Sequence, residues 1–370
     1  MSKEKKEKKP RSKAAKVIRG VVITLGCVIL AVVILAVAGG WMLYGDMISA
    51  LGSISQPYAD KDCPVYYMEY SGDYGFDGLL KQGGIESDGE IADYFVSFIS
   101  HGFASASDYG IEPSDYGCSA IAVSNGGDGY IFGRNFDWDD DTYEMVVVTR
   151  PDSGYESIST VNLAFLGYTA DYMPTDMESK ALALAAPYVP LDGINEKGLF
   201  VSDLMVNQGK PTAQDTDKPD LTTTTAIRLL LDKAATVDEA VELLEQYDMH
   251  SSVGSCHHLI VADQTGRSVV VEWPDDVMTV TESPYVTNGY VYDPKLAVST
   301  GGSSSIGRYK TLRDSYDSRN GSMTPAQLLM TMKSVSHSTC WTVIFDPAGM
   351  TADYYFDADY ENKFSFALGE

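Results

Sequence analysis

The most prominent apolar feature of the chain is an uninterrupted run near its start. Residues 21–44 carry no charged side chain over 24 positions, and residues 1–20 contain nine Lys or Arg against two Glu. A helix of that length crosses about 30 Å of hydrocarbon, and basic flanks favour the cytoplasmic side. The pattern predicts a basic cytoplasmic tail at 1–20 and a single-pass transmembrane anchor at 21–44, with the remainder extracellular. Ala36-Val37-Ala38 leaves a cleaved signal peptide and secretion as the alternative.

From residue 118 onward the pattern changes to short β-like runs, separated by turn signals and by stretches with helical spacing. The β-like runs are 119–123, 130–134, 145–150, 157–163, 258–262, 268–273, 277–281, 341–345 and 352–356. Helices are predicted at 224–233, at 325–332, and from a capping signal at Thr236 to about Tyr247. Strands with helices grouped between them indicate an α+β layered domain over 118–370.

The region between the apolar run and this domain has a different composition. Residues 45–117 are rich in Tyr, Asp, Ser and Gly, contain one helix-like stretch at about 90–101, and lack strong strand signals. We interpret them as an upstream pro-segment. Inside the domain, residues 164–189 are aromatic and weakly periodic, which suits a loop over a substrate pocket.

Composition narrows the classes of partner. The 370 residues are 44% hydrophobic and 21% charged, which permits a sizeable core. The formal net charge is −25, and because the first 20 residues are basic, the remainder is more acidic still. An acidic surface repels nucleic acid and anionic lipid, so neither is expected to bind the body of the protein. Membrane contact is expected through residues 21–44.

Five cysteines are present, and one of them, Cys27, lies in the apolar run. The other four would occupy a compartment in which disulfides persist, and their spacing does not resemble a zinc site. If Cys118 remains a thiol, the remaining three allow at most one bridge. That bridge would join Cys63 to the downstream region, with Cys340 slightly favoured over Cys256.

Cys118 stands in a sequence context that suggests chemistry. It opens a β-like run and follows Gly117, the residue type that best tolerates an unusual backbone or a close approach. A turn signal at 125–127 leads into a second run that carries Arg134 and Asp137, 16 and 19 residues beyond the cysteine. A hairpin would return both side chains to the neighbourhood of the thiol.

Three further segments follow this hairpin in a distinctive order. With the hairpin, which has the spacing Cys118-(x15)-Arg-Asn-x-Asp, they make four segments. The other three are 192–199 (DGINEKGL), 286–288 (VTN) and 306–309 (IGRY). Together they resemble the choloylglycine hydrolase and linear amide C–N hydrolase family of N-terminal-nucleophile enzymes. That family includes bile salt hydrolases, penicillin V acylases, acid-ceramidase-like amidases and penicillin acyltransferases. The resemblance extends from Cys118 to about Phe356.

The resemblance implies a four-layer αββα N-terminal-nucleophile hydrolase sandwich and an amidase made as a zymogen. Autocatalytic cleavage of the Gly117–Cys118 bond would free Cys118, which then attacks a linear N-acyl amide and forms a thioester. Its own α-amine, with an ordinary pKa of about 8, would act as general base, so no histidine is required. Asp137 would hold that amine over the sulfur.

The resemblance also assigns residues around the reacting carbonyl. The Asn288 side chain would donate to the oxyanion, and the backbone N–H of Met205 would be a second donor, with Asn207 next to it on the substrate side. Arg134 and Arg308 would support the thiolate. The ordinary alternatives are a salt bridge within the hairpin for Arg134 and a helix-surface charge for Arg308.

Other functions stay open from the sequence alone. An amine could resolve the thioester in place of water, which would make the protein an acyltransferase. A catalytically silent, membrane-tethered binding protein of the same fold is the alternative from another class. Cys256 and His258 alternate onto one strand face, as two metal ligands could. No further ligands follow at suitable spacing, so we interpret them as strand residues, and no metal or organic cofactor is implied.

Overall fold

The computed structural model describes residues 41–58, 64–100, 116–127, 129–139, 142–207 and 209–369. The helices are α1 (Trp41–Ser53), α2 (Phe76–Lys81), α3 (Asp88–Ile99), α4 (Met177–Ala183), α5 (Thr223–Lys233), α6 (Val237–Leu244), α7 (Gly302–Ser318) and α8 (Pro325–Ser334). The strands are β1 (Ser55–Tyr58), β2 (Val65–Ser71), β3 (Tyr116–Ser124), β4 (Tyr130–Trp138), β5 (Glu144–Arg150), β6 (Ser157–Asn162), β7 (Asp192–Asn195), β8 (Phe200–Met205), β9 (Asp220–Thr222), β10 (Asp248–His250), β11 (His257–Ala262), β12 (Ser268–Glu272), β13 (Thr279–Glu282), β14 (Tyr285–Val286), β15 (Thr339–Asp346), β16 (Thr351–Phe356) and β17 (Phe364–Ala367).

Two sheets organise these strands. The nine-stranded sheet has the order β1-β2-β5-β6-β7-β8-β11-β12-β13, and the six-stranded sheet has the order β14-β3-β4-β15-β16-β17. Strands β2 and β5 run parallel, whereas β3 and β4 form an antiparallel hairpin. Strands β9 and β10 form a separate parallel pair. The mixed α/β fold expected from the sequence is thus present.

Alternation along strand β5 explains how the sheets and helices form layers. Val146 and Val148 pack in a core that both sheets share, whereas Met145 and Val147 point the other way, into a core with helices α1, α3 and α5. A third core joins the six-stranded sheet to helices α7 and α8, which contribute Leu312 among others. The order helix, sheet, sheet, helix agrees with the αββα arrangement that the resemblance implies.

Strands β1 and β2 come from the upstream residues in which no strand was expected, so that expectation was wrong. Strand β2 lies inside the nine-stranded sheet, between β1 and β5. Its Met68 and Tyr70 are buried, but the tyrosines and Glu69 of VYYMEYS interrupt the apolar alternation that pattern analysis detects. The nine-stranded sheet therefore combines two strands that precede residues 117–118 in the sequence with seven that follow them.

The helices predicted from spacing begin with the caps that their sequences suggest. At the start of α6, Thr236 Oγ1 accepts a hydrogen bond from Glu239 N. At the start of α8, Thr324 and Gln327 form a reciprocal capping box. These local signals are strong because each satisfies backbone N–H groups that a helix leaves without partners.

The segment 164–189, expected to be a loop, is more regular than that. It contains helix α4, which begins at a capping box between Asp176 and Ser179. A helix of seven residues makes only about two turns, too few for the helical period to be detected in sequence. The expectation that this segment covers a pocket concerns its position and is taken up below.

Residues 1–40 lie outside the described residues, and with them the predicted tail and most of the predicted anchor at 21–44. Helix α1 begins at Trp41, inside the last part of that range. None of the helices in the described part of the chain is long and apolar enough to cross a bilayer. Cys27 and Cys63 also lie outside it, so the bridge to Cys340 stays a prediction.

Candidate active site

The β3–β4 hairpin brings the candidate nucleophile and its neighbours together, as the spacing in the sequence predicts. Cys118 on β3 lies opposite Phe136 on β4, and Gly117 lies opposite Asp137. Arg134 sits two pairs further along the same hairpin, opposite Ala120. The Cys118 side chain is buried, as are Arg134 and Asp137.

Two side chains, one from the segment after β14 and one from helix α7, hold both polar groups of the Cys118 backbone. Its N–H donates to Asn288 Oδ1 at 2.8 Å, and its carbonyl oxygen accepts a hydrogen bond from Arg308 Nη1. Arg308 Nη2 also donates to Asn288 Oδ1, at 2.7 Å. Asn288 thus holds the N–H of the peptide that would be cleaved, and Arg308 holds the carbonyl of the peptide that follows it.

The glycine at position 117 lies very close to two side chains of the site. A Cβ atom built there would lie 3.0 Å from Asp137 Oδ2 and 3.1 Å from Arg308 Nη2. A side chain at this position would require the ends of Asp137 and Arg308 to shift by a few tenths of an ångström. The glycine therefore allows a carboxylate and a guanidinium to approach the bond before Cys118.

Asp137 is a buried carboxyl group with incomplete hydrogen bonding. Its Oδ1 accepts from Thr339 Oγ1 at 2.6 Å, and its Oδ2 lies 3.7 Å from Arg308 Nη1. No hydrogen-bond donor for Oδ2 occurs among the described residues. Burial raises the pKa of Asp137 from 3.8 to about 7, although Arg308 and Thr339 oppose the rise. The group can therefore change its charge near neutral pH.

Arg134 is fully buried beneath the thiol. Its Nε forms an ion pair with Asp192 at 2.8 Å, and its Nη2 donates to the carbonyl of Asp203 at 2.9 Å. The hairpin salt bridge considered as an alternative is thus replaced by a pair with strand β7. Burial raises the pKa of the Cys118 thiol, and the charge of Arg134 partly offsets that rise.

Arg308 reaches the site from helix α7 and is only 8% exposed, so the helix-surface alternative is wrong. The start of α7 is fastened to the segment after β14: Asn288 N donates to Ser305 Oγ at 2.9 Å, and Thr287 Oγ1 donates to the Ser305 carbonyl at 3.1 Å. Arg308 follows Ser305 by three residues and so lies on the same side of the helix. Burial lowers the pKa of Arg308, although the nearby Asp137 opposes that shift.

The residues expected around the reacting carbonyl differ in their placement. Asn288 Nδ2 donates to the carbonyl of Met205 at 2.8 Å, and Met205 borders the cavity described next. The Asn207 side chain instead donates to the carbonyl of Gly301 at 2.7 Å and does not border that cavity. The roles of these residues in binding or catalysis stay predictions.

Cys118 opens onto a cavity of about 970 Å³, a volume that includes the space at its mouth. Its lining is mainly apolar and aromatic, supplied by Ile91, Ala92, Phe95, Val96, Phe136, Trp138, Phe165, Leu166, Leu182, Ala185, Val189, Leu191, Met205 and Val253. Five of these residues belong to the segment 164–189, which agrees with the expectation that this segment covers a pocket. A lining of this kind suits a small organic ligand with a hydrophobic part.

Comparison with protein-family models identifies the family of this chain. Residues 118–315 match the model of the linear amide C–N hydrolases of the choloylglycine hydrolase family. The chain belongs to this family. The four sequence segments that suggested the resemblance all lie inside the matched range, so that part of the sequence analysis is confirmed.

Individual relatives agree with the family. The penicillin V acylase of Pectobacterium atrosepticum is 31% identical over 124 residues, which cover 29% of this chain and 32% of the relative. The match thus spans about a third of that curated relative. The penicillin V acylase of Agrobacterium tumefaciens superposes with a TM-score of 0.51 at 18% identity, covering 68% of this chain and 87% of that one. A variant of the conjugated bile acid hydrolase of Clostridium perfringens gives 0.51 at 15%, covering 68% and 92%. Both structures share the fold.

In this family member the cavity also has polar residues that the sequence analysis missed. Asp203 Oδ1 lies 2.8 Å from His257 Nδ1, and His257 Nε2 lies 2.9 Å from the carbonyl of Ser252. Burial would lower the pKa of His257, but the Asp203 carboxylate outweighs it, so the pKa is raised. Asp203 and His257 are diagonal neighbours on the adjacent strands β8 and β11, where Asp203 lies opposite Leu259 and His257 opposite Met205. No local motif in the sequence indicates this pairing.

The neighbouring His258, on the other face of the strand, also has a partner for each of its ring nitrogens. Its Nδ1 lies 3.0 Å from Glu272 Oε1 and its Nε2 lies 2.9 Å from the carbonyl of Thr287. Cys256 contacts Tyr290 Oη at 3.3 Å. Within the described ranges, no group of three His, Cys, Asp or Glu side chains could hold a metal ion.

Proposed function

We propose that this chain hydrolyses the amide bond of an N-acyl substrate with a hydrophobic acyl group, through a thioester on Cys118. The observation that carries the proposal is the position of the Cys118 thiol at an apolar cavity, with Asp137, Asn288 and Arg308 around its backbone. Membership of a family of linear amide C–N hydrolases supports the reaction type. The acyl group would occupy the cavity and the amine would leave through its mouth.

The general base in this proposal is the α-amine that cleavage of the Gly117–Cys118 bond would free. Burial raises the pKa of the thiol, so the sulfur needs a nearby base to become a thiolate. His257, which borders the cavity, has both ring nitrogens engaged and cannot serve. An α-amine with an ordinary pKa of about 8 would lie next to the sulfur on the same residue.

The proposed reaction has two steps. The amine takes the thiol proton, the sulfur attacks the substrate carbonyl, and the C–N bond breaks as the proton passes to the leaving amine, which leaves an acyl thioester. Water then attacks the thioester and gives a proton to the α-amine. The C–S bond breaks, the carboxylic acid leaves, and the α-ammonium returns its proton to the sulfur to restore the thiol. Asn288 Nδ2 has a second N–H beyond the one given to Met205, so it is our candidate oxyanion donor. Loss of such a donor costs about 3 kcal/mol of barrier.

Asp137 supports the maturation part of the proposal. Its Oδ2 has no hydrogen-bond donor among the described residues, and it approaches Gly117 closely. Cleavage would convert the Cys118 N–H into an ammonium group with three donors. Asn288 Oδ1 already accepts from the Cys118 N–H, and Asp137 Oδ2, which lies close to Gly117, would accept from another N–H of the ammonium group.

Intact mass, N-terminal sequencing and an N-acyl substrate screen test the proposal together. Wild-type protein should yield a fragment that begins at Cys118, whereas Cys118→Ala should remain one chain without activity. Cys256→Ala, which removes a buried thiol outside the cavity lining, is the matched control and should mature normally. Wild-type protein that stays uncut yet hydrolyses amides would show that the α-amine is not the base.

Two further measurements separate the alternatives. Added amines that divert the acyl group from water in proportion to their concentration would indicate an acyltransferase. A thiol-reactive acyl probe that fails to label Cys118 in matured protein would favour a silent binding protein.

We also propose that the body of the protein lies outside the cell, on the basis of the basic and apolar residues at 1–44. The uncut chain should then stay in the membrane fraction and be digested by external protease. A mature protein that starts at Gly39 in the medium would indicate a signal peptide instead.

A further inference from the structure

One wall of the cavity comes from residues upstream of the proposed cleavage site. Helix α3 contributes five lining residues, which are Asp88, Ile91, Ala92, Phe95 and Val96. They are spaced three and four positions apart and so form one continuous face of the helix. Cys118 borders the same cavity. The cavity is therefore built from residues on both sides of the Gly117–Cys118 bond.

Contacts along helix α3 hold this face against the body of the protein. In its first turn, Asp88 accepts hydrogen bonds from Ser252 Oγ at 2.8 Å and from Val253 N at 2.7 Å. One helical turn before its end, the Phe95 ring packs edge-on against Tyr188, with 6.2 Å between ring centroids. These partners all lie in the downstream part of the chain, so cleavage would leave the contacts unchanged.

The rest of the upstream region is attached even more firmly. Strand β2 is hydrogen-bonded to β5 on one side and to β1 on the other. In helix α2, Phe76 is buried and packs against Tyr188. The upstream fragment can thus stay bound without a covalent link to the downstream one.

We propose that helix α3 stays in the mature enzyme as a wall of the acyl site, and that Ile91 and Phe95 limit the length and width of the acyl group. The inference rests on the proposed amidase function of Cys118. Both side chains are 3% exposed and border a cavity whose other walls are apolar. The substrate class is therefore an amide of a carboxylic acid whose hydrophobic acyl group fits between these apolar walls.

Three substitutions in the purified full chain test this role. Phe95→Ala enlarges the cavity at α3, whereas Ala92→Phe fills it from the same face without removing a buried group. Phe98→Ala is the matched control, because Phe98 is an aromatic residue of the same helix that stacks on Tyr94 and does not border the cavity. Each variant is assayed with a series of N-acyl amides of increasing chain length.

We expect Phe95→Ala to move the preferred acyl length upward and Ala92→Phe to move it downward, with the control unchanged. Each methylene that the altered cavity newly accommodates or excludes should change the relative kcat/KM by about fourfold. The same length profile in all four proteins would overturn the proposal. Because Ala92→Phe leaves the contacts of Phe95 in place, a misfolded Phe95→Ala protein does not remove the test.

Binding provides a readout that is independent of catalysis. Cys118→Ala protein, with and without each α3 substitution, is titrated calorimetrically with straight-chain carboxylic acids from six to fourteen carbons. If the preferred acid length shifts with Phe95→Ala and Ala92→Phe, helix α3 is a wall of the acyl site. This holds even if the protein hydrolyses no amide, and only the proposed function would then fail. Length preferences that do not respond to either substitution contradict the wall even if the enzyme is an amidase.

Discussion

The ionisation of Asp137 gives the sharpest physical prediction. In the uncleaved chain, burial raises the pKa of this carboxyl group from 3.8 to about 7. We compare Cys118→Ala, which holds the chain uncut, with the double variant Cys118→Ala/Asp137→Asn, which removes the titrating group and keeps its shape. The amide can still accept from Thr339, which donates to the carboxylate at 2.6 Å.

The sign and size of the effect follow from proton linkage. Between pH 3.8 and about 7 the folded chain keeps a proton on Asp137 that the unfolded chain has lost. Stability from this group is fully present below pH 3.8 and falls by about 1.4 kcal/mol per pH unit until it is gone above the folded pKa. The total is about 4 kcal/mol, of which about 3 kcal/mol falls between pH 5 and pH 8.

Denaturant unfolding at pH 5 and pH 8 measures the effect. The free energy of unfolding of Cys118→Ala, relative to the double variant, should fall by about 3 kcal/mol over that range. Subtracting the free energy of unfolding of the double variant removes the contribution of the other acidic residues, because they titrate in both proteins. Asp238→Asn, a substitution at an exposed carboxylate, is the control and should change little. If the two proteins differ in free energy of unfolding by the same amount at both pH values, the conclusion that Asp137 is buried and protonated would be refuted.

Four other predictions test the packing around the site. Gly117→Ala should slow maturation in a mass-spectrometric time course, because the new methyl group would lie 3.0 Å from Asp137 Oδ2. The two fragments of matured protein should co-elute in gel filtration with reductant present. Met68→Ala removes a fully buried side chain of β2 and should lower the free energy of unfolding of the uncut chain by about 2 to 5 kcal/mol. Asp192→Asn should cost about 3 to 5 kcal/mol in denaturant unfolding, because it leaves the Arg134 guanidinium buried with a weaker partner.

Two of these predictions have a matched control variant. Gly307→Ala adds a methyl group in open space on α7 and should mature at the wild-type rate. Met330→Ala removes a side chain that is 64% exposed and should hardly alter stability. Fragments that separate in reductant without denaturant would show that a disulfide through Cys63, not packing, holds the protein together. An unchanged midpoint for Asp192→Asn would mean that the Arg134 charge is satisfied by its other contacts.

The part of the site that the sequence could predict is the part set by local pairing. Cys118, Arg134 and Asp137 lie on one hairpin, so a turn signal and a spacing are enough to place them together. The β-like runs of the domain were detected because apolar residues fill both faces of strands that lie between two cores. Asn288 and Arg308 were identified only through the family resemblance, because their contacts with Cys118 span 170 and 190 residues.

The features that pattern analysis missed depend on long-range packing. Asp203 and His257 become a pair only when β8 and β11 align, and each residue alone looks like an ordinary strand position. Helix α3 was detected as a helix, but its amphipathic face does not reveal that it borders the cavity of Cys118. Strand β2 was hidden because tyrosine buries its ring while its hydroxyl makes the sequence look polar.

Cleavage should also change the ionisation of Asp137, and this gives a last prediction. In the uncut chain Asp137 Oδ2 faces Gly117 and lacks a hydrogen-bond donor among the described residues, which favours the neutral acid. An α-ammonium at Cys118 would add a positive charge beside it and favour the carboxylate. The pKa of Asp137 should then fall well below 7, and the infrared band of its protonated carboxyl group at pH 6, seen in Cys118→Ala but not in the double variant, should be absent from matured wild-type protein. A band that persists after complete cleavage would mean that the new amine does not pair with Asp137, and the orienting role proposed for this residue would be wrong.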